Sequence, residues 1–352
     1  MNRDLTGAVV VITGASAGIG RAAALRFADE GARLVLTARQ PAALESLAHE
    51  CEARGCAAIA VPADVTDEGQ VQDVARRAVE RFGPIDVWVN NAAVAAFGRF
   101  EETPADIFQR VFDVNFFGYV NGARVALPHF REQGYGTLIN VSSVVGTIGQ
   151  PYTTAYTSSK WAIRGLTQSL QGELSLDEAR DINVCSVLPA AIDTPLFHTA
   201  ANYTGRAARP LDPIYSADMV ANTIVSVARH PRRETYAGMA GRLATLAHIL
   251  LPGPAIRIFA RQVEYNHFEP RVQPPTRGNL FEPFDDAHRV SGGWLGSADA
   301  ARAGAWPAGL APLAMAAAGI ATALWAARRW RRHRRRRLET PQRIRRLLPA
   351  AK

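Results

Sequence analysis

Residues 8–20 read AVVVITGASAGIG, and this stretch decides the fold. Residues 8–13 form a short apolar run rich in Val, which predicts a strand buried on both faces. The run passes at once into TGASAGIG (13–20), where Gly14, Gly18 and Gly20 give the spacing G-x-x-x-G-x-G. The helix-like GRAAALRFADEG (20–31) follows. Glycines in such a loop let the backbone turn sharply and come close to a pyrophosphate. The helix behind them offers free N–H groups and a favourable dipole. A glycine-rich loop alone is a weak signal; between a strand and a helix it is a strong one.

Working outward, the apolar runs RLVLTA (33–38), AAIAVPAD (57–64), IDVWVNNA (85–92), GTLINVSS (136–143) and INVCSVLP (182–189) recur, with a shorter ETYAG (234–238). Helix-like stretches separate them. This alternation predicts an α/β protein of Rossmann type over residues 1–240: a doubly wound parallel sheet in three layers, α/β/α. A C-terminal helical and apolar extension follows. Residues 241–262 predict two short amphipathic helices broken at Pro252-Gly253-Pro254. Covering the core is their expected role, ahead of lining a pocket or dipping into a membrane surface. Residues 263–304 are rich in Pro, Gly and charge and lack periodicity, so they read as a partly disordered linker.

Residues 303–327 contain no charged side chain. A helix from Trp306 to Ala327 would span roughly 31–33 Å, close to the hydrocarbon thickness of a bilayer. Trp306 and Trp325 sit near its ends, as interfacial anchors do. Residues 305–327 are therefore expected to form an apolar helix that contacts a membrane, with the Arg-rich tail 328–352 beside it. Body and tail are both expected on the cytoplasmic side. The tail carries twelve Arg/Lys and one Glu, so the net charge of +8 leaves −3 on the first 327 residues. The body thus has no general affinity for nucleic acid.

Three cysteines, Cys51, Cys56 and Cys185, are too few and too odd in number for a disulfide framework. They do not have zinc-site spacing, and the eight histidines form no cluster, so no metal site is expected.

The end of the second strand reads LTARQ, which places Arg39 where an acidic residue would hold a ribose 2′-hydroxyl. Arginine suits a 2′-phosphate instead, because its fork donates several charge-assisted hydrogen bonds. NADP(H) is therefore expected ahead of NAD(H). Further along, YTSSK (156–160) sets Tyr156 and Lys160 one helical turn apart. An ammonium beside a phenol favours phenolate and lowers a pKa that is normally about 10.

Taken in order, TGASAGIG (13–20), ADV (63–65), NNAA (90–93), Asn115, VSS (141–143) and YTSSK (156–160) resemble the short-chain dehydrogenase/reductase superfamily over about residues 5–240. The resemblance implies a catalytic group of Asn115, Ser143, Tyr156 and Lys160, with Ser143 thirteen residues before the tyrosine. It implies Tyr156 as acid/base and Lys160 as its tuner and ribose ligand. Ser143 would stabilise the substrate oxygen, and the Asn115 backbone would support a proton relay. The cofactor cradle would comprise Gly14, Ser16, Gly18, Ile19 and Gly20. Asp64 and Val65 would meet adenine, Asn90 would steady the fourth strand beside the adenosine, and Pro189, Ile192 and Thr194 would grip the carboxamide. Ala93 and Ala190 stand where the family usually has glycine.

The expected pocket wall (Val94, Phe97, Val144, Val145, Tyr152 and residues 192–205) is mostly apolar, which points to a hydrophobic ketone or alcohol. His198 is expected to be a loop or lid residue and not a catalyst. The family resemblance implies a homodimer or homotetramer. The competing class is a nucleotide-sensing or membrane-scaffold protein on the same fold.

Overall fold

A computed structural model of the chain describes residues 4–284 and 288–296. The expected apolar helix at 305–327 and the tail at 328–352 lie outside the described residues. Among the described residues, no helix is long and apolar enough to cross a membrane.

Seven strands form one sheet: β1 (Val9–Thr13), β2 (Arg33–Thr37), β3 (Ala58–Ala60), β4 (Val87–Asn90), β5 (Gly136–Val141), β6 (Ile182–Pro189) and β7 (Glu234–Ala237). Their order is β7-β6-β5-β4-β1-β2-β3, and every pairing is parallel. Strand alternation feeds two cores. Val10 and Ile12 of β1 and Val87 and Val89 of β4 face one side. Val9 and Val11, with Trp88, face the other. Helices α1 (Gly18–Asp29) and α2 (Pro41–Glu52) bury Ala23, Phe27, Leu44 and Leu47 on the first face. Helix α3 (Glu68–Phe82) buries Val71, Val74 and Ala78 on the second. It starts where the Asp67 carboxylate accepts from Gln70 N at 3.1 Å, and it stops at Gly83, whose φ is +92°.

Helix α4 (Ala105–Phe112) runs through a π turn at Asp113–Phe117 into α5 (Gly118–Gln133). Helix α6 (Thr154–Leu176) carries the tyrosine and lysine. A short α7 (Leu196–Thr199) follows β6, and α8 (Ala217–Arg229) precedes β7. The chain leaves β1 toward β2 and β3 on one side and continues from β4 toward β7 on the other. The switch point between β1 and β4 is where such sheets bind ligands, beyond the carboxyl ends of the strands.

Two expectations for the C-terminal part change. Helices α9 (Met239–Leu250) and α10 (Pro252–Asn266) break at Pro252 as expected, but they do not cover the core. Gly241, Thr245 and Val263 are their buried residues, while Leu246, Ile249, Leu250 and Ile258 are exposed. The two helices instead wall the mouth of a cavity. Nor is the described part of 263–304 a free linker. Residues Phe268–Val272 pair antiparallel with Arg206–Ala208, and Leu280 is fully buried beside Ala96 and Ile107. These contacts join residues far apart in sequence, so no local periodicity announces them.

Candidate active site

The carboxyl edge of the sheet opens into a continuous cavity of about 1900 Å³. It runs from the glycine loop and Arg39, past Ser143, Tyr156 and Lys160, to Leu243 and Leu250 of α9.

Thr13, at the end of β1, holds the glycine loop in place. Its Oγ1 accepts from Asn91 N at 2.9 Å and Ala92 N at 3.1 Å. Asn91 returns the contact, donating from Nδ2 to the carbonyls of Thr13 (3.0 Å) and Gly14 (3.1 Å). Gly14 has φ +64°, and a Cβ there would lie 2.6 Å from Ala92 Cα. The close approach of loop and β4 therefore requires glycine. Gly14→Ala is expected to lower the melting temperature and to weaken dinucleotide binding about tenfold or more. A thermal melt and a fluorescence titration with reduced nicotinamide dinucleotide would check both; an unchanged protein would refute the close-approach account.

Gly14, Ser16, Gly18, Ile19, Arg39, Asp64, Val65, Pro189, Ile192 and Thr194 all line the cavity. The residues present thus fit a dinucleotide laid along this edge. Asp64 caps its own turn, accepting from Thr66 N at 3.0 Å and from Arg110 Nη2 at 2.7 Å. Burial alone would raise its carboxyl, but the Thr66 N–H and the Arg110 guanidinium outweigh burial and hold it below the usual range.

Asn90 steadies the fourth strand, but from within the core, and its side chain does not line the cavity. Oδ1 accepts from Trp88 Nε1 at 2.9 Å, and Nδ2 donates to Asn140 Oδ1 at 3.0 Å and Tyr119 O at 3.1 Å. It is a fully buried latch tying β4 to β5 and α5. The next residue, Asn91, points to the opposite face and is the one at the cofactor loop.

Ser143, Tyr156 and Lys160 come together at the middle of the cavity. The Ser143 hydroxyl lies close enough to the Tyr156 phenol to lower its pKa. The neighbouring Ser142 donates to the Lys160 carbonyl at 3.1 Å and serves the structure. Lys160 is 1% exposed; its Nζ donates to Val141 O at 3.0 Å and lies 5.5 Å from the centre of the Tyr156 ring. Burial pushes the Lys160 ammonium down to about 7 and the Tyr156 phenol up to about 12, with the Ser143 hydroxyl pulling the phenol back. The depressed tyrosine pKa expected from the one-turn spacing is therefore not produced here. Desolvation is the largest influence on both groups.

Asn115 sits in the π turn and is fully buried. Its side chain grips the loop after β4, accepting from Val94 N at 2.8 Å and donating to Val94 O at 2.9 Å and Ser159 Oγ at 3.2 Å. A π turn breaks the regular ladder of backbone bonds, and such turns gather at functional sites.

Val94, Phe97, Val144 and Val145 line the substrate end as expected, but Tyr152 does not. Its hydroxyl donates to Glu264, so it braces α10 instead. Two wall residues were missed by the sequence reading. Gln150 Nε2 lies 3.0 Å from His267 Nε2, and His267 packs edge-on to Phe97 and Phe197. Burial pushes the His267 imidazole down to about 4, so the imidazole is uncharged at neutral pH. No sequence signal marked His267. His198, expected in a loop or lid, lies in the short α7 and stacks on Trp294 with ring centres 4.5 Å apart.

A sheet whose carboxyl edge carries a glycine cradle at its switch point defines the class of dinucleotide-binding α/β proteins. Comparison with known proteins narrows the class. The short chain dehydrogenase family model matches residues 8–203. The uncharacterized oxidoreductase YxnA of Bacillus subtilis is 35% identical over 300 residues, covering 84% of each chain. The 3-oxoacyl-[acyl-carrier-protein] reductase FabG of Thermotoga maritima is 34% identical over 227 residues, 64% of this chain and 91% of that protein. A short-chain dehydrogenase/reductase from Burkholderia phymatum, solved with NAD, superposes with a TM-score of 0.65 at 28% identity, covering 77% of this chain and 100% of that one. An alcohol dehydrogenase from Thermococcus sibiricus, complexed with 5-hydroxy-NADP, superposes with a TM-score of 0.56 at 30% identity, covering 65% and 94%. This chain belongs to the short-chain dehydrogenase/reductase superfamily and is an oxidoreductase of that family.

Proposed function

We propose that the protein interconverts a carbonyl and an alcohol on a hydrophobic small molecule, using a nicotinamide dinucleotide. The observation that carries this reading is the meeting of the Ser143 and Tyr156 hydroxyls inside an apolar cavity that continues to the glycine cradle. When bound, the nicotinamide supplies or accepts a hydride at the substrate carbon. The chain's own residues handle the oxygen. Ser143 donates a hydrogen bond to it as negative charge develops. Tyr156 donates its proton to the same oxygen in reduction and takes one back in oxidation. A phenol held near 12 keeps its proton at neutral pH, so the resting site is ready to reduce. Lys160 lies beside the phenolate that forms and favours it electrostatically. Asn115 holds the π turn against the Val94 loop, the place from which a relay to Lys160 would start.

The substrate class follows from the walls. Phe97, Val144, Leu243, Ala247 and Leu250 bring apolar surface, and Arg209 is the cation among the lining residues at this end. A sensor or scaffold would have no use for two hydroxyls and a buried ammonium converging in such a cavity. A homodimer or homotetramer, and membrane contact through 305–352, are proposed from the family resemblance and the sequence; co-sedimentation with vesicles that survives truncation after residue 296 would sink the membrane contact. The decisive experiment is a screen of hydrophobic ketones and alcohols with both dinucleotides, following absorbance of the reduced nicotinamide. Turnover confined to polar, charged carbonyls would refute the substrate class.

Arg39 alone would favour the 2′-phosphate form, NADP(H), as the sequence suggested. Its surroundings alter that expectation.

A further inference from the structure

Arg39 does not stand free at the end of β2. Nη1 donates to the carbonyls of Leu280 (3.1 Å) and Phe281 (2.9 Å), and Nη2 donates to that of Asn279 (2.5 Å). Arg110 joins them, donating from Nε to the same Leu280 carbonyl at 3.0 Å. The Leu280 side chain is fully buried among Val65, Ile107 and Val111, which plugs this segment into the body. Arg277 adds an ion pair to Asp106 at 2.5 Å. The segment 277–284 is thus tied down at the adenosine end of the crevice by three arginines and one leucine.

A second tie lies at the other end. The Arg289 carbonyl accepts from Gly18 N at 3.0 Å, on the glycine loop itself. The Asp193 carboxylate, 3% exposed, accepts from Ser291 Oγ (2.6 Å), Gly292 N (2.8 Å) and Trp294 N (3.1 Å). Trp294 donates from Nε1 to the Thr194 carbonyl at 3.3 Å and stacks on His198. Thr194 is the residue expected at the carboxamide. Asn279, Pro283, Phe284, Trp294 and Leu295 all border the cavity, so both segments cover the crevice without filling it.

We propose that residues 277–284 and 288–295 form an intramolecular clasp over the dinucleotide crevice, that Arg39 is its anchor, and that the clasped site selects NAD(H) over NADP(H). The selection follows from the atoms that Arg39 gathers. Three carbonyl oxygens gather on the guanidinium, and the side-chain oxygen of Asn279, which supplies one of those carbonyls, is buried without a hydrogen-bond partner. Carbonyl oxygens only accept hydrogen bonds. They suit the two donor hydroxyls of a free ribose and repel a phosphate dianion. A 2′-phosphate could reach the Arg39 fork only by displacing these carbonyls and loosening the clasp. The inference rests on the oxidoreductase reading for its ligand, but the anchor itself does not.

The test uses the full chain. NADH and NADPH are titrated by nicotinamide fluorescence, NADH dissociation is timed by displacement, and hydrogen exchange is followed in peptides covering 277–284. Wild type is expected to bind NADH about tenfold or more tighter than NADPH. Arg39→Leu removes several charge-assisted hydrogen bonds. It is expected to speed NADH dissociation about tenfold and to raise exchange in 277–284. Trp294→Ala, at the other tie, should speed dissociation without raising exchange in 277–284. An Arg39→Leu protein that loses NADPH affinity tenfold while NADH binding and exchange stay unchanged would make Arg39 a phosphate ligand and overturn the clasp. Tighter NADPH than NADH binding in wild type would overturn the selection. Binding of neither would sink the oxidoreductase reading and the selection with it, while the anchor would still stand or fall on the exchange result.

Discussion

Tyr156→Phe is expected to lower kcat/KM for carbonyl reduction about a thousandfold, the middle of the range for a positioned proton donor. The ring packs against two core clusters, one that includes Val94 and one that includes Phe97, and phenylalanine keeps that packing. What disappears is the O–H proposed to meet the substrate oxygen, beside Ser143. The melting temperature should therefore hold or rise slightly, since a buried hydroxyl is removed. Steady-state kinetics on a hydrophobic ketone, with a thermal melt on the same samples, checks both halves. Reduction that survives unchanged would show that the proton comes from elsewhere.

Lys160→Met should separate activity from stability in the opposite sense. Activity is expected to fall about a hundredfold or more, because the phenolate left on Tyr156 loses its neighbouring cation. Stability of the ligand-free protein is expected to rise, because a desolvated charge gives way to a hydrophobic side chain of similar volume. The pH dependence is specific. The lysine titrates near 7 in the fold and at 10.5 when unfolded, so between these values the unfolded chain binds more protons. Wild-type stability then rises with pH across this window. The gap in melting temperature between Lys160→Met and wild type should be widest at pH 7 and below and should close toward 10.5. A gap that stays constant with pH would mean that Lys160 keeps its ordinary pKa.

The two variants bear on one local pattern. That Tyr156 and Lys160 would share a helix face was legible from their spacing. That burial would drive their pKa values away from each other was not, because desolvation depends on β5, α5 and the Asn115 turn closing over them. Asn90 and Asn91 make a similar case. The pair NN was legible as part of the site, but only the strand's orientation assigns the first to the core and the second to the cofactor loop. Helices α9 and α10 were legible as amphipathic and broken at proline. Whether their apolar faces met the core or a cavity depended on what else filled the space.

The sequence by itself determined the seven-stranded sheet, the glycine cradle and the placing of Tyr156 and Lys160 on one helix face. Each is written in residue types and spacings within one βαβ unit or one helical turn, where the backbone leaves few alternatives. The tertiary structure alone decided what Arg39 touches. Its partners Asn279, Leu280 and Phe281 lie 240–242 residues away, in a stretch without periodicity. Backbone carbonyls, which every residue carries, make those contacts, so no side-chain pattern could signal that a phosphate-suited arginine was already engaged.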